Sequence, residues 1–531
     1  MNAPANQTLR TLFENALQRY RDRTALVTAD RTLSYETLDS RSSALAAAFI
    51  DSGLEPGDKV AVLLSNRPES VLIDLAIIKM GAVRVPLNPM LSSEEIQYIL
   101  SDSGAGAVVC EPEYSDPVAE QAPATDALET VVVVSEGSPG DIPETTVRDY
   151  HEMVAGDTSV EPTYRDLEVA PDDPAGLFYT GGTTGKPKGV VYSQRSLVAS
   201  LYAHLAEFGF DGRDTGLVVT PLSHSAGTFL WANLLGGGRT VVQQGFTPER
   251  LLDAVERYGV TWTFVVPTMI YRLLEAPYDS YDCSSLERML YGAAPIRSDK
   301  LEEGIDAFGP IFCQFYGQTE VPNLISVLGR QEHAMAADGR APERLESAGH
   351  PCLMAEVRIV DPDTGAELDA GEVGEVLATA PYAFERYHNR PEATAETLED
   401  GWVSTGDIGR LDDDGYLYLL DRKHDVVVSG GLNVYSYTVE NVLTAHPGVD
   451  QAVVFGIPDE TWGEAVHAVV VPASASVTEQ ELQRHASEHL ADYEQPKSIN
   501  FADSLPTTSH GKVDKAALRE PYWENRDRSI N

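Results

Sequence analysis

A chain of 531 residues and 57.7 kDa with a formal charge of −43 at pH 7 lacks the basic face that nucleic acid demands, which excludes that partner. Hydrophobic content of 43% with 8% aromatics is globular, the length suggests three or four compact units, and no apolar run of about 18 residues predicts a membrane span. The acidic residues are spread along the chain rather than gathered in a tail. This reads as adaptation to high salt, where a Debye length of about 3 Å at 1 M screens self-repulsion, with an ordinary acidic cytosolic enzyme as the alternative.

Residues 1–10 carry no charged region followed by an apolar one, so a cytoplasmic protein is expected. Residues 34–52 read as a helix opened by Ser34 and stopped by Gly53, and residues 71–80 as a more apolar helix ended by Gly81. Residues 83–87 and 107–110 read as short buried strands. From 111 to 174 the acid-, Pro- and Ser-rich sequence predicts solvated connections around one strand at 131–134. Residues 240–243 and 261–266 read as strands flanking a helix with Thr247 as its cap, Pro248 at its first position and Gly259 at its end. That unit predicts a parallel sheet. Residues 289–291 and 311–315 continue the alternation. Beyond Pro351, strands at 355–360, 373–379 and 416–420 come without helices and predict an antiparallel or barrel-like subdomain. Strands at 450–456 and 465–472, then a capping box from Thr478 to Glu481 opening a helix to about Leu490, predict a small α+β module. The scattered cysteines Cys110, Cys283, Cys313 and Cys352 read as buried free thiols.

Residues 179–190 read Tyr-Thr-Gly-Gly-Thr-Thr-Gly-Lys-Pro-Lys-Gly-Val. Glycines let backbone N–H groups crowd an anion, threonines add hydroxyls and lysines add charge, which is the chemistry of a phosphate-holding loop. Thr180 and Pro187 break the Walker A pattern, so the P-loop NTPase reading is set aside. Tyr316-Gly317-Gln318-Thr319-Glu320 follows a predicted strand, where an α/β sheet presents a hydroxyl and a carboxylate to a nucleotide and its metal. Trp402-Val-Ser-Thr-Gly-Asp407 ends in a carboxylate able to accept from two ribose hydroxyls. Residues 506–512 form a glycine-containing loop ending in Lys512. Lysine is scarce, and Lys186, Lys188 and Lys512 all sit beside glycines.

With residues 221–227, 291–295 and 421–433, these motifs stand in an order that resembles the adenylate-forming superfamily over essentially the whole chain, most closely its fatty- and aryl-acid CoA ligases. The resemblance implies a mixed α/β N-terminal domain with a β-barrel-like subdomain over 1–421, and a small mobile α+β domain over 422–531. It implies that a carboxylic acid attacks the α-phosphorus of ATP to form an acyl-adenylate and pyrophosphate, and that the CoA thiol then displaces AMP. Thr180, Gly181, Gly182, Thr183, Thr184, Gly185, Lys186 and Lys188 would hold the β- and γ-phosphates. Thr319 would contact the α-phosphate and Glu320 would hold Mg²⁺. Tyr316 would stack near adenine beside Gly292, Ala293 and Ala294. Asp407 would bind the ribose with support from Arg422, and Lys512 would bridge the acid and the α-phosphate. His224 would gate an acyl pocket of Ala226, Gly227, Tyr291 and Val321, and Gly430 and Gly431 would line the pantetheine passage after a rotation about the hinge His424.

Three departures stand out. The hinge is His424 where relatives carry Lys or Asp. Leu432 and Ser436 interrupt a stretch that often reads Gly-Gly-Glu-Asn-Val-Tyr-Pro. Glu494 lies at an often basic site. The competing readings are an adenylation enzyme that loads a carrier-protein phosphopantetheine and an inactive nucleotide-binding regulator; a homodimer is left open. No Asp or Glu lies between Pro221 and Pro248 to meet an α-ammonium, which disfavours an amino acid substrate.

Overall fold

The computed structural model describes residues 7–121, 127–135, 145–155, 163–180, 186–473, 477–507 and 513–523. The chain divides into two compact units rather than the three or four its length suggests. The first comprises residues 1–180, 187–356 and 378–403, and the second 181–186, 357–377 and 404–531. The expected 421/422 boundary therefore falls inside the second unit.

Two large sheets make up the first unit. In the nine-stranded sheet, strands Thr24–Val27, Arg239–Val242, Thr215–Val218, Trp262–Val265, Arg288–Gly292 and Phe312–Tyr316 lie side by side and parallel, with antiparallel strands at both edges. The predicted strand–helix–strand unit is present. Thr247 caps helix Pro248–Tyr258, Gly259 ends it in the left-handed region, and the two flanking strands both pair with Thr215–Val218. The eight-stranded sheet is parallel through Val83–Pro86, Lys59–Leu63, Ala107–Cys110, Thr130–Val133 and Thr146–Asp149. Its central strands are buried apart from Lys59, which is why they read as mostly apolar runs, with Arg84 the one charged side chain buried among them.

Two sequence expectations need correction. The apolar helix runs Pro68–Met80, three residues earlier than the periodicity suggests, because Pro68 begins it at a position where no N–H is needed. The stretch expected to be solvated connections instead holds helices Ser115–Gln121 and Tyr150–Val154 and the edge strand Thr146–Asp149. All of Pro68–Met80 is buried, so its polar residues are paired: Lys79, 1% exposed, donates to Asp39 at 2.6 Å and to Ser43 at 2.8 Å.

In the second unit, residues 357–377 and 404–422 supply strands of a five-stranded sheet, where the barrel-like subdomain is expected. A separate sheet joins Leu432–Val434, Val427–Ser429, Gly463–Pro472, Val449–Asp459 and Ser498–Phe501. Strand alternation gives it two apolar faces. Val454, Val466, Ala468 and Val470 pack with Val439 and Leu443 of helix Ser436–Thr444 and Leu482 and Ala486 of helix Glu479–His489. Val453, Phe455, Val469 and Val471 face Leu505, Val513 and Leu518. The capping box at Thr478 and Glu481 is formed on both sides. All four cysteines are free, and Cys283 alone of them is half-buried rather than buried.

Candidate functional site

In the first unit, strands Arg288–Gly292 and Phe312–Tyr316 are parallel neighbours with Gly292 opposite Phe315, so the Gly292–Ala294 and Tyr316–Glu320 segments leave the same sheet edge together. This is the carboxyl edge at which open α/β sheets bind ligands. The strand extends one residue beyond the sequence expectation, which places Tyr316 at its last position. A Cβ on Gly292 would lie 2.5 Å from the Phe315 carbonyl oxygen, so only glycine passes there. Ala293 follows in the left-handed region at φ 66°, a conformation that costs on the order of 1 kcal/mol for alanine. It turns Ala293 and Ala294 outward, exposed, as a small apolar shelf beside Tyr316.

Glu320 is buried, 8% exposed. Its carboxylate accepts from the Tyr387 hydroxyl at 2.5 Å and its carbonyl from the Phe384 N–H at 2.8 Å. Lys188 Nζ lies 4.6 Å from the centre of the Tyr387 ring. One tyrosine thus links the base of the glycine-threonine loop to the predicted metal carboxylate. Burial and the nearby Glu320 charge push the Tyr387 phenol far above its ordinary range, so it stays a donor. The loop itself is closed at its foot, where Thr180 N–H donates to the Lys188 carbonyl at 3.0 Å and Lys188 N–H to Thr180 Oγ1 at 3.2 Å. Gly181, Gly182, Thr183, Thr184 and Gly185 lie outside the described residues, as does Lys512.

His224 precedes helix Ser225–Gly236, and its Nε2 lies 3.5 Å from Asn88 Nδ2. Ala226 and Gly227 are buried in the first turn; a Cβ on Gly227 would lie 2.3 Å from the Leu222 carbonyl oxygen. Ser225 Oγ donates to Asn323 Oδ1 at 2.7 Å, and Asn323 Nδ2 lies 3.0 Å from His204 Nε2. This buried link ties the helix start to the segment that follows Glu320 and Val321. Tyr291 does not join this set. Its ring packs with Met289, Phe312 and Leu301, and its hydroxyl lies 3.0 Å from His333 Nε2. Strand alternation carries Tyr291 to the sheet face opposite Trp262, Phe264 and Phe315, strand residues that pack on Phe229 of helix Ser225–Gly236. Tyr291 is therefore removed from the acyl-pocket set.

Burial holds the His204 and His333 imidazoles down at about 4, below their ordinary 6.5. Folding favours their neutral forms, so this contribution is complete above pH 6.5 and is lost as pH falls toward 4. Urea midpoints measured across that window are expected to fall, with a shallower slope for His204→Gln; a flat profile contradicts the assignment.

In the second unit, Asp407 and Arg422 are directly opposed across antiparallel strands Trp402–Leu411 and Leu417–Arg422, with Arg422 Nε 3.2 Å from Asp407 Oδ1. Asp407 is 7% exposed, and its N–H donates to Thr405 Oγ1 at 3.1 Å. The predicted ribose pair is thus together. His424 is half-buried, which lowers its imidazole below the ordinary range. Gly430 and Gly431 have φ of 61° and 81° and form the two-residue hairpin between Val427–Ser429 and Leu432–Val434, with Ser429 opposite Leu432. Two positive φ values in sequence are the type I′ requirement. A Cβ on Gly430 would also lie 2.7 Å from the Trp462 ring. Turn geometry and the Trp462 ring give these glycines a local cause. Sequence reading missed Tyr387, Phe384 and Trp462, whose signals are contacts distant along the chain.

Residues 13–388 match the family model for an AMP-binding enzyme, and residues 438–512 match that for an AMP-binding enzyme C-terminal domain. A medium/long-chain-fatty-acid–CoA ligase of Mycobacterium tuberculosis, FadD8, is 37% identical, covering 98% of this chain and 91% of the relative. A feruloyl-CoA synthase of an Amycolatopsis species is 37% identical over 94% of this chain and 96% of its own. Among solved structures, the amide bond synthetase McbA from Marinactinospora thermotolerans superposes with a TM-score of 0.85 at 31% identity, covering 96% of this chain and 99% of that one. The chain belongs to the adenylate-forming, AMP-binding enzyme family and is an AMP-forming acyl-CoA synthetase of it.

Proposed function

We propose that this enzyme activates a fatty or aryl carboxylic acid. The acid's carboxylate attacks the α-phosphorus of ATP, pyrophosphate leaves, and the CoA thiol then displaces AMP from the acyl-adenylate. A carboxylate is a poor acyl donor until its oxygen becomes a good leaving group, which adenylation supplies. The observation that carries this reading is the shared carboxyl edge of two parallel strands, with the Ala293–Ala294 shelf beside Tyr316 and the buried Glu320 held by Tyr387.

In this reading adenine lies against Gly292, Ala293, Ala294 and Tyr316, and Thr319 meets the α-phosphate. Thr180 to Lys188 grip the phosphates that leave, and Asp407 and Arg422 take the ribose. His224 gates a pocket that includes Ala226, Gly227 and Val321. Gly430 and Gly431 border the CoA passage after a turn of residues 422–531 about His424. Mg²⁺, when bound, would supply charge neutralisation on the phosphates; an ion of this kind is usually bound through one or two carboxylates together with substrate phosphates. Glu320 is such a single carboxylate, and no cluster of three or more His, Cys, Asp or Glu side chains occurs among the described residues. The donor set therefore fits a metal that arrives with ATP.

Among the described residues no helix is long and apolar enough to cross a membrane. We assign the enzyme to a salt-rich cytoplasm, as monomer or homodimer. Relatives acting on medium- or long-chain fatty acids and on ferulate support an apolar or aryl substrate. A panel running from acetate through octanoate and palmitate to benzoate and ferulate, scored by AMP release with CoA, tests this. Turnover of acetate alone contradicts it.

Tyr387→Phe removes the hydroxyl from Glu320 and keeps the ring under Lys188. A hydrogen bond to a charged group is worth about 1.5–3 kcal/mol, so adenylation is expected to slow by roughly tenfold to a hundredfold. The Mg²⁺ requirement should rise, and the thermal midpoint should fall modestly because Glu320 is buried. An unchanged Mg²⁺ dependence removes Tyr387 from the site.

A further inference from the structure

Ser436 stands where the family pattern often has proline, and its surroundings show what the exchange adds. Proline has neither an N–H nor a hydroxyl; Ser436 uses both. It is the first residue of helix Ser436–Thr444, is fully buried, and its N–H and Oγ both donate to the carboxylate of Asp421, the latter at 3.1 Å. Asp421 thereby caps a helix whose own capping residue, Tyr435, makes no side-chain cap bond and whose first turn carries no acid. On the other side Lys515 Nζ donates to Ser436 Oγ at 2.6 Å and pairs with Glu440 at 2.8 Å. Glu440 in turn accepts from Val454 N–H at 2.8 Å. Arg519, one turn further along helix Lys515–Trp523, lies 3.5 Å from Asp425 and donates to the His424 carbonyl at 3.4 Å.

These groups lie on both sides of Arg422, Lys423 and His424. Asp421 ends the approach to that segment, while Ser436, Glu440 and Lys515 all follow it. Lys515 is also three residues beyond Lys512. A carboxylate accepting from a helix N-terminus and lying near an ammonium is a charge-assisted arrangement, stronger than a neutral one. A turn about His424 must either break it or carry it along.

We propose that Asp421, Ser436 and Lys515 form a latch across the hinge, and that Ser436 is a positioning residue that sets the balance between the two half-reactions. The inference rests on the two-step reading with a turn about His424. The latch favours the arrangement in which it is closed, so the half-reaction run in that arrangement is supported and the other is held back. Opening it speeds one and slows the other. A side chain that only stabilises the fold moves both in the same direction.

The test measures each half-reaction separately in the full-length enzyme: acid-dependent ATP–pyrophosphate exchange, and acyl-CoA formation from supplied acyl-adenylate. The acid is whichever of octanoate, palmitate, benzoate or ferulate supports exchange in the unmodified enzyme. Ser436→Ala is expected to change the ratio of the two rates at least fivefold, with one rate rising as the other falls. Ser436→Pro, which also removes the N–H, should shift the ratio further in the same direction, and Ser436→Thr should restore it. Both rates falling together, or neither moving in soluble Ser436→Ala, overturns the latch. Absence of both half-reactions in the unmodified enzyme overturns the two-step reading itself, a separate outcome.

Discussion

Lys512→Ala is expected to reduce acid-dependent pyrophosphate exchange by about a thousandfold, while acyl-CoA formation from supplied acyl-adenylate stays within a fewfold of the unmodified rate. When a carboxylate meets the α-phosphate, two anions approach each other, and charge builds on the bridging oxygen toward pyrophosphate. An ammonium that touches both groups stabilises this charge more in the transition state than in the ground state, and an interaction of that kind is worth about 4 kcal/mol. In the second half-reaction the thiol attacks a neutral acyl carbon and AMP departs, so the same ammonium has no comparable task. Among the described residues, Thr507 and Val513 on either side of this segment form an antiparallel bridge, and Lys515 is anchored to Glu440. Normal exchange by Lys512→Ala contradicts the assignment, and equal loss of both half-reactions shifts the role of Lys512 to binding or folding.

Arg84→Met is expected to destabilise the first unit by about 3–5 kcal/mol, the range for removing one partner of a buried ion pair. Arg84 and Asp74 are 5% and 3% exposed and paired at 2.6 Å, and the guanidinium lies near the rings of Phe178 and Trp231. Burial pushes the Asp74 carboxyl up against the opposing pull of Arg84. Methionine fills most of the volume and leaves the carboxylate without its countercharge, holding only its Trp231 hydrogen bond, in a helix buried on every side. Arg84 also donates to the Leu222 carbonyl at 3.2 Å, two residues before His224, so catalytic loss should accompany the instability. The Asp74→Asn, Arg84→Met double variant should recover much of the stability, because no isolated charge remains. Denaturant midpoints of the three proteins decide this; a single variant as stable as the unmodified enzyme means the pair is not worth its desolvation.

The parts of this fold that can be read from sequence are those whose cause is local. Thr247, Pro248 and Gly259 bound their helix because capping chemistry lies within a few residues of each end, and the same holds for Thr478 and Glu481. The same local logic marks Pro68, but the apolar run from Val71 obscures it. Strand Thr146–Asp149 alternates between exposed and half-buried residues at a sheet edge, so it carries no apolar pattern to detect. The nucleotide-facing motifs are legible as short strings. Their supports are not: Tyr387 reaches Glu320 across 67 residues, and Arg84 reaches Leu222 across 138. Tyr291 shows the converse error. An apolar residue next to a motif glycine suggests a pocket wall, but strand alternation sends its ring into the helix-facing core.

The most direct measurement is exchange of labelled pyrophosphate into ATP by the purified enzyme, with each acid of the panel and then with CoA added. The account predicts exchange that depends on a fatty or aryl acid and on Mg²⁺, followed by equimolar AMP and acyl-CoA when CoA is present. Exchange with no acid of the panel, or formation of ADP and phosphate in place of AMP and pyrophosphate, contradicts it.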